Sequence, residues 1–154
     1  MSILKRDPSF RHRFHMDLAV RVAQLSKDPD RKVGAVLASP SQRQVSFGYN
    51  GFPPDIPDTA ALLHDKQFKL LHMVHAEDNC LRQAPFDTKG CTLYITRFPC
   101  AACAQLLIDR GVTSVVAPRP DFGHLRWGNS WICALAKFQL AQVDIIYVET
   151  ESTV

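Results

Sequence analysis

The sequence lacks the long apolar runs and biased stretches that mark membrane, secreted and disordered proteins. No run of about 18 apolar residues is present, so we expect no transmembrane helix and no membrane partner. The first residues do not pair a charged region with an apolar one, as a secretory signal does. No Gly/Ser-rich, Gln/Asn-rich or single-charge run occurs, which favours a folded chain. We therefore expect a soluble protein of the cytoplasm.

The sequence also lacks a large excess of charge of either sign. The formal net charge is +3, which is too small to indicate a nucleic-acid polymer as partner, although it permits an anionic substrate. The basic surplus lies early in the chain, and we interpret most of it as a solvated helix face and a frayed terminus. These early charges are Lys5, Arg6, Arg11, Arg13, Arg21, Lys27, Arg31 and Lys32, against Asp7, Asp17, Asp28 and Asp30.

The chain has 154 residues, of which 46% are hydrophobic, and we expect one domain over residues 1–154. The five cysteines are an odd number. Only Cys100 and Cys103 are closely spaced, which is typical of a metal pair in a reducing compartment rather than of a disulfide framework. The others, Cys80, Cys91 and Cys133, are predicted to be small buried hydrophobic residues.

The hydrophobic pattern predicts alternating helices and strands. A helix is predicted over residues 10–26, residues 33–38 and 45–49 indicate a hairpin, and prolines make residues 51–58 a loop. The apolar face of the first helix is Phe14, Leu18, Val22 and Leu25. We then expect helical residues from about 59, a helix near 75–82, a strand at 91–96, a helix at 100–110, a strand at 112–117, a helix at 128–142 and a strand at 144–148. This order predicts an α/β fold with a partly parallel sheet.

Two short motifs carry the chemistry, His75-Ala76-Glu77 and Pro99-Cys100-Ala101-Ala102-Cys103. Together they match the H-x-E and P-C-x-x-C signature of zinc nucleobase deaminases. Residues three apart on a helix share a face, so Cys100 and Cys103 can direct both thiolates at one ion, and a helix N-terminus favours thiolates. His75 supplies a third ligand. The fourth tetrahedral position is then left to water, as a catalytic zinc site requires.

Glu77 is left free for proton transfer. Zinc lowers the pKa of a water molecule that it binds to about 7. We expect Glu77 to take the water proton, pass it to ring N3 and help to protonate the departing ammonia, while hydroxide attacks C4. His75 and Glu77 are two residues apart and would point to nearly opposite sides of a regular helix, so the first turn must accommodate both.

Other interpretations of these residues stay open. A Cys-x-x-Cys pair with a distant histidine also fits a structural zinc clip or a redox pair, although a structural site normally closes with a fourth protein ligand. His64 and His72 are predicted to lie at the surface or the core edge, with a second metal site or a substrate contact as the alternative. Trp127 and Trp131 are four apart on a predicted helix, which favours core packing over base stacking.

The chain resembles the dCMP deaminase family over about residues 14–117. The metal motif is shared with tRNA adenosine, guanine and other deaminases, whereas the Gly-Tyr-Asn-Gly-x-Pro block is characteristic of the dCMP branch. The matching blocks are Ser26-Lys27-Asp28-Pro29, Val33-Gly34-Ala35-Val36, Gly48-Tyr49-Asn50-Gly51-Phe52-Pro53, His75-Ala76-Glu77-Asp78-Asn79 and Phe98-Pro99-Cys100-Ala101-Ala102-Cys103-Ala104.

The resemblance implies a cytidine deaminase-like three-layer α/β/α fold, with a five-stranded mixed sheet and helices on both faces. It implies a homo-oligomer, from dimer to hexamer, that uses Zn²⁺ to hydrolyse a cytosine nucleotide, with dCMP to dUMP plus ammonia as the leading reaction. The alternatives are a deaminase of another cytosine compound, guanine or an adenosine, and a non-catalytic binding module stabilised by zinc. The loop after Gly51 lacks the Gly-Cys-x-Asp-Asp run of many nucleotide-regulated members, which puts control by dCTP and dTTP in doubt.

Two regions are expected to bind substrate. By the resemblance, Asn50 should hydrogen-bond the sugar or phosphate, and the 49–53 loop, with Gly51, should line the pocket. Gly48 and Gly51 would let the backbone approach a ligand closely, although a turn alone also explains the block. The motif neighbours expected at the substrate are Ala76, Phe98 and Pro99.

The phosphate ligands are the least determined part of the predicted site. Residues 120–128 differ from the better-known relatives and follow the carboxyl end of a predicted strand. Because α/β folds bind ligands at such ends, His124 and Arg126 are candidates for substrate contact. Arg31 and Lys32 are rival phosphate ligands, with a solvated surface position as the alternative for each.

Overall fold

The computed structural model describes residues 1–4 and 7–150, so Lys5 and Arg6 of the early basic surplus lie outside the described residues. Every predicted helix and strand is present, with ends that move by a few residues. The helices are α1 (Pro8–Ala23), α2 (Ala60–His64), α3 (Lys66–His72), α4 (Ala76–Gln83), α5 (Ala101–Asp109) and α6 (Gly128–Leu140). The strands are β1 (Gly34–Ala38), β2 (Val45–Tyr49), β3 (Thr92–Ile95), β4 (Ser114–Ala117) and β5 (Asp144–Tyr147).

The helical stretch predicted from residue 59 is two short helices instead of one. Asp65 separates them because it has extended backbone, with φ −84° and ψ 103°. Its carboxylate accepts a hydrogen bond from the backbone N–H of Phe68, at 3.0 Å. Asp65 therefore caps the start of α3, which is the favoured place for this residue type.

The five strands form one mixed sheet in the order β2-β1-β3-β4-β5. The β1–β2 hairpin is antiparallel, as predicted, and β1 also pairs antiparallel with β3. The β3–β4 and β4–β5 pairs are parallel, with α5 and α6 as the crossover helices. The carboxyl ends of β3 and β4 therefore share one edge of the sheet, where parallel folds place ligands.

Helices cover both faces of the sheet, which confirms the predicted three layers. On one face, α1 packs Met16 and Ala19 against Val36, Tyr94 and Val116. On the other, α4, α5 and α6 enclose the larger core, whose members include Cys80, Leu107 and Phe138 against strand residues such as Leu37 and Leu93. Among the described helices, none has the length and apolar character needed to cross a membrane.

The predicted apolar face of α1 is wrong at its two ends. Phe14 is 56% exposed and Leu25 is 55% exposed, whereas Ala19 and Ala23 are fully buried. Small residues face the sheet because the α1 backbone lies directly on β1. A Cβ atom added to Gly34 would lie 2.0 Å from the carbonyl oxygen of Ala19, which leaves no room for a side chain.

A second glycine contact lies on the opposite face of the sheet. A Cβ atom added to Gly48 would lie 2.5 Å from the backbone nitrogen of Cys80 in α4. The expectation that Gly48 admits a ligand is therefore wrong, because the helix occupies that space. Gly51, by contrast, has no atom within 4 Å of where its Cβ would stand.

The prediction for the remaining cysteines holds for two of them. Cys80 and Cys91 are buried, whereas Cys133 is exposed. The helix period explains the difference. The buried residues of α6 include Trp131, Ala134 and Phe138, and both positions between the first two, Ile132 and Cys133, face outward. Cys133 is thus a surface residue, and the prediction of burial is wrong.

Acid should destabilise the fold through His15, which is only 5% exposed. Its Nε2 lies 3.1 Å from Oε1 of Gln42 and its ring packs on Tyr94. Its buried Nδ1 has no partner within the described residues. Burial lowers the pKa of His15, with the nearby Arg11 and His12 charges acting in the same direction and the Gln42 hydrogen bond opposing them. Folded chains therefore disfavour the imidazolium form.

The free energy of unfolding should therefore fall as the pH drops below the unfolded-state histidine pKa of about 6.5, and continue to fall towards the lower folded-state pKa. Urea titrations across this range, on the parent and on His15→Leu, measure the effect. We expect the free energy of unfolding to fall less with decreasing pH in His15→Leu than in the parent. The control His64→Leu changes an exposed histidine and should show the same fall as the parent. Equal losses in the parent and His15→Leu would contradict the assignment.

Candidate metal centre and cavity

Three metal-ligating side chains converge where α4 and α5 begin. His75 precedes α4 and Cys100 precedes α5, both in extended backbone, and Cys103 lies in the first turn of α5. Nδ1 of His75 lies 3.7 Å from Sγ of Cys100 and 3.3 Å from Sγ of Cys103. All the ligand atoms lie within 4.8 Å of one another, and the part of the chain that the structure describes contains no second group of this kind.

This donor set fits zinc in chemistry and in size. One imidazole nitrogen and two sulfur atoms are ligands that zinc prefers. With zinc–sulfur and zinc–nitrogen bonds of about 2.3 and 2.0 Å, a tetrahedral site has nitrogen–sulfur edges of about 3.5 Å. The two observed distances, 3.7 and 3.3 Å, bracket that value. Three protein ligands also leave one position open, as in catalytic zinc sites.

The helix ends resolve the expected conflict between His75 and Glu77. His75 is the cap residue of α4, with φ −72° and ψ 156°, so it is not bound by helical spacing. Glu77 is the second residue of the helix, and both side chains line the same cavity. Cys100 has the same role in α5, with φ −71° and ψ 169°, so this helix begins one residue later than predicted.

Hydrogen bonds distribute the protons within this cluster. The hydrogen bond from Cys103 lowers the pKa of Cys100 to about 4, against the effect of burial. The same bond, together with burial, raises the pKa of the Cys103 thiol. The hydrogen bond with Cys100 raises the pKa of His75 to about 9, although burial opposes it. Because metal ligands must be deprotonated, binding of zinc at this site releases protons and weakens in acid.

Glu77 is a buried carboxyl group beside these ligands. Glu77 is only 4% exposed. Its Oε2 atom is buried and has no hydrogen-bond partner among the residues that the structure describes. Burial raises the pKa of Glu77, while the charge of His75 opposes the rise. Buried polar atoms are nearly always paired in native proteins, so the free oxygen points to a group that the site receives from outside.

The cluster opens into a cavity of about 550 Å³. Six of the nine predicted substrate residues line it, and three do not. Those that line it are Arg31, Asn50, Ala76, Phe98, His124 and Arg126. Gly51 and Pro99 are not among the lining residues, and neither is Lys32, whose ammonium donates a hydrogen bond to the Ser26 carbonyl.

Asn50 connects the loop after β2 to the segment before β1. Its Oδ1 accepts a hydrogen bond from the backbone N–H of Val33 at 2.9 Å, and its Nδ2 donates to the carbonyl of Arg31 at 2.8 Å. Both groups of the amide are thus engaged by the backbone. Each retains one further hydrogen-bonding position, so the predicted contact with sugar or phosphate stays a prediction.

A buried lysine beside the cavity was not predicted from sequence. Nζ of Lys69 lies 2.8 Å from Oδ1 of Asp28 and 2.6 Å from Oδ2 of Asp30. Burial lowers the pKa of Lys69, but the hydrogen bonds to both carboxylates outweigh burial and raise it. Removing one partner of such a pair leaves a buried charge unpaired, at high energetic cost. The lysine therefore fixes the 28–30 turn against α3 at the rim of the cavity.

Another part of the cavity lining is aromatic and cationic. The Arg97 guanidinium carbon lies 5.2 Å from the ring centroid of Trp127 and 5.1 Å from that of Trp131. Nε1 of Trp131 donates to the carbonyl of Phe98 at 3.0 Å. Core packing is confirmed for Trp131, which is buried, and in part for the half-buried Trp127. Both rings also line the cavity, which was not predicted from sequence.

His64 and His72 lie at the surface, as predicted. His64 is exposed, and its Nδ1 lies 2.7 Å from the carbonyl of Ala60. His72 is exposed and its ring packs on Phe68, with centroids 4.3 Å apart. Neither belongs to a group of three metal-ligating side chains in the described ranges 1–4 and 7–150.

A His-Cys-Cys donor set next to a buried carboxylate is the arrangement of the zinc-dependent nucleobase deaminases. The sequence profile described as "Cytidine and deoxycytidylate deaminase zinc-binding region" matches residues 10–118. The chain belongs to this family of zinc-binding cytidine and deoxycytidylate deaminases. Its fold and its metal-ligating residues agree with that membership.

Two curated relatives illustrate the similarity. An "Uncharacterized deaminase in luxG 3'region" of Aliivibrio fischeri is 35% identical over 132 residues, which are 85% of this chain and 88% of that one. The human "Deoxycytidylate deaminase" is 35% identical over 111 residues, which are 67% of this chain. The match spans 61% of the length of the human protein.

A solved structure has the same fold. The dCMP deaminase of cyanophage S-TIM5, crystallised in complex with dCMP and dUMP, superposes with a TM-score of 0.70. The superposition covers 94% of this chain and all of the phage protein, at 20% sequence identity. This likeness confirms the predicted cytidine deaminase-like fold with its five-stranded mixed sheet.

Proposed function

We propose that this protein hydrolyses dCMP to dUMP and ammonia with Zn²⁺ as cofactor. The observation that carries the proposal is the buried Oε2 of Glu77, which has no hydrogen-bond partner among the described residues and lines the same cavity as His75 and Cys100 of the cluster with Cys103. The human relative that is named deoxycytidylate deaminase and the phage enzyme with dCMP and dUMP bound support this substrate. One water molecule is consumed, the C4–N4 bond breaks and a C4–O bond forms.

Glu77 is the proposed general acid and base. When bound, zinc supplies a Lewis acid that makes water a competent nucleophile near neutral pH. In this proposal Glu77 would take a proton from the attacking water, give it to N3 of the cytosine ring and then assist the departure of ammonia. Burial, which raises the pKa of this carboxyl group, favours its holding the proton between the two transfers.

The rest of the cavity holds the nucleotide in this proposal. Ala76 and Phe98, which lie beside the metal-ligating residues, contact the base. Asn50 contacts the sugar, and the cationic lining residues Arg31 and Arg126, with His124, are the candidates for the phosphate. Direct contacts by Gly51, Pro99 and Lys32 stay predictions that the cavity does not support, since none of the three lines it.

We propose also that residues 1–154 are a single domain that assembles as a homo-oligomer in the cytoplasm, with no nucleic-acid polymer as partner. Large apolar side chains stand free at the surface of the single chain and offer area for self-association. Leu71 is 81% exposed, Leu125 is 103% exposed and Leu140 is 88% exposed. Light scattering coupled to gel filtration measures the mass of the assembly.

The substrate is tested with zinc-loaded protein and a panel of dCMP, CMP, deoxycytidine, guanine and adenosine, with products separated by chromatography. We expect dUMP from dCMP at a higher rate than any other conversion. If zinc is bound and another member of the panel is deaminated instead, the reaction class stands and the substrate is different. Zinc-bound protein that leaves the whole panel unchanged would favour a non-catalytic binding module.

A further inference from the structure

Arg97 occupies an unusual place in the cavity wall. It immediately precedes the Phe98-Pro99-Cys100 segment, three residues before a metal-ligating cysteine, and it lines the cavity with Glu77. Its guanidinium packs on both Trp127 and Trp131, with 5.2 and 5.1 Å to the two ring centroids. Such cation–π contacts orient a guanidinium but leave its N–H donors free.

No described residue neutralises the charge of Arg97 by an ion pair. Within the part of the chain that the structure describes, its guanidinium forms no ion pair and no side-chain hydrogen bond, although the residue is half-buried. Arg126 places a second guanidinium 5.5 Å from the centroid of the same Trp127 ring. Two cations held at one ring repel each other unless an anion lies near both.

The basic residues that line the cavity differ in their pairing with carboxylates. In the 28–31 segment and α3, the carboxylates of Asp28 and Asp30 bind Lys69 and reduce the local positive charge. The lining residues of segments 97–98 and 124–131 include Arg97 and Arg126 and no carboxylate, and neither guanidinium forms an ion pair within the described residues. An anionic group of the substrate is therefore attracted to these two unpaired guanidinium groups.

We propose that Arg97, stacked on Trp127 and Trp131, binds the phosphate of the nucleotide and so makes the enzyme prefer nucleotides over nucleosides. This inference rests on the proposed function. A planar guanidinium suits the purpose, because two of its parallel N–H groups can reach two phosphate oxygens. Arg126, whose guanidinium carbon lies 5.5 Å from the centroid of the Trp127 ring, assists.

The test compares Arg97→Gln, Arg97→Lys and the matched control Arg119→Gln. Arg119 also packs on two aromatic rings, those of Phe122 and Tyr147, but it does not line the cavity. For each protein, kcat/KM is measured with dCMP and with deoxycytidine, and the affinities for dUMP and deoxyuridine are measured by calorimetry. The phosphate is the only difference within each pair of ligands.

In Arg97→Gln we expect kcat/KM for dCMP to fall about 30-fold, as for loss of hydrogen bonds to a charged group, with deoxycytidine changed less than about twofold. Arg97→Lys should lie between this variant and the parent, because it keeps the charge and loses the planar fork. Arg119→Gln should match the parent with both substrates. Equal losses for dCMP and deoxycytidine in Arg97→Gln, or no loss for either, would overturn the proposal.

The affinities separate this inference from the proposed function. If the parent does not convert dCMP but binds dUMP more tightly than deoxyuridine, and Arg97→Gln removes that preference, the phosphate site stands and the proposed reaction falls. If the parent converts dCMP and Arg97→Gln keeps the full preference for dUMP, the reaction stands and the role of Arg97 falls. A parent that binds dUMP and deoxyuridine equally would overturn the phosphate site.

Discussion

Glu77→Gln should lower the rate of dCMP deamination by about 10²- to 10⁴-fold, the range for loss of a general acid and base, while the protein keeps its zinc. Glutamine has nearly the same shape as glutamate, so the packing around a residue that is 4% exposed is preserved. It cannot accept and return a proton, however. Turnover is measured by chromatography of dCMP and dUMP, and bound zinc by atomic absorption on the same samples.

A neighbouring carboxylate provides the control for this prediction. Asp78 follows Glu77 in α4 but pairs with Arg82, one helical turn away, at 2.8 Å. It does not line the cavity, so Asp78→Asn should retain the parental rate. An inactive Glu77→Gln protein that had also lost its zinc would show that Glu77 supports the metal instead of moving protons. A fully active one would remove Glu77 from the mechanism.

Cys103→Ala should lose both zinc and activity, because two protein ligands remain where three are needed. Cys103 is the most deeply buried of the metal-ligating cysteines, at 6% exposed, and water cannot readily replace its sulfur. A ligand that binds the folded chain in preference to the unfolded chain stabilises the fold. Zinc should therefore raise the melting temperature of the metal-free parent and have little effect on the variant.

The cysteine on the outer face of α6 makes a matched comparison. Cys133 is exposed and does not belong to the metal-ligating cluster. Cys133→Ala should keep roughly the zinc content of the parent, which excludes a general effect of removing a thiol. Zinc retained at the parental level in Cys103→Ala would contradict the ligand assignment. If Cys100 and Cys103 were instead a redox pair, zinc would not change the melting temperature of the parent or of Cys103→Ala.

The metal centre could be predicted from sequence because its information is local. Cys100 and Cys103 are three residues apart, and the histidine motif has a fixed form, so residue type and spacing were sufficient. The order of the strands and helices followed from equally local patterns of apolar and turn-forming residues. The first turn of α4 was not predictable in the same way, since only the backbone angles show that His75 lies outside the helix.

The walls of the cavity depend on contacts between distant parts of the chain. Lys69 binds a carboxylate 41 positions away, and Trp131 donates to a carbonyl 33 positions away, so neither contact leaves a pattern in the sequence. Two adjacent basic residues also differ for a reason that the sequence does not show. Arg31 lines the cavity whereas Lys32 turns to the Ser26 carbonyl, although sequence made them equal candidates.

The faces of α1 show why an apolar pattern can mislead. Large residues at Phe14 and Leu25 predicted the buried stripe, yet the close contact with β1 required small ones, and Ala19 and Ala23 fill it. The hydrophobic effect rewards burial of large side chains, but geometry decides which positions can be buried. A helix that touches a strand through its backbone excludes the larger residues from the contact.

The two glycine contacts on opposite faces of the hairpin also set limits on how the sequence can vary. Gly34 meets α1 and Gly48 meets α4, the helix that begins beside His75. A side chain at either glycine must push a helix away from the sheet, and at Gly48 that helix carries Glu77. Harmful natural variation is therefore expected at two positions that do not themselves line the cavity, in proteins whose metal-ligating and acid–base residues are all intact.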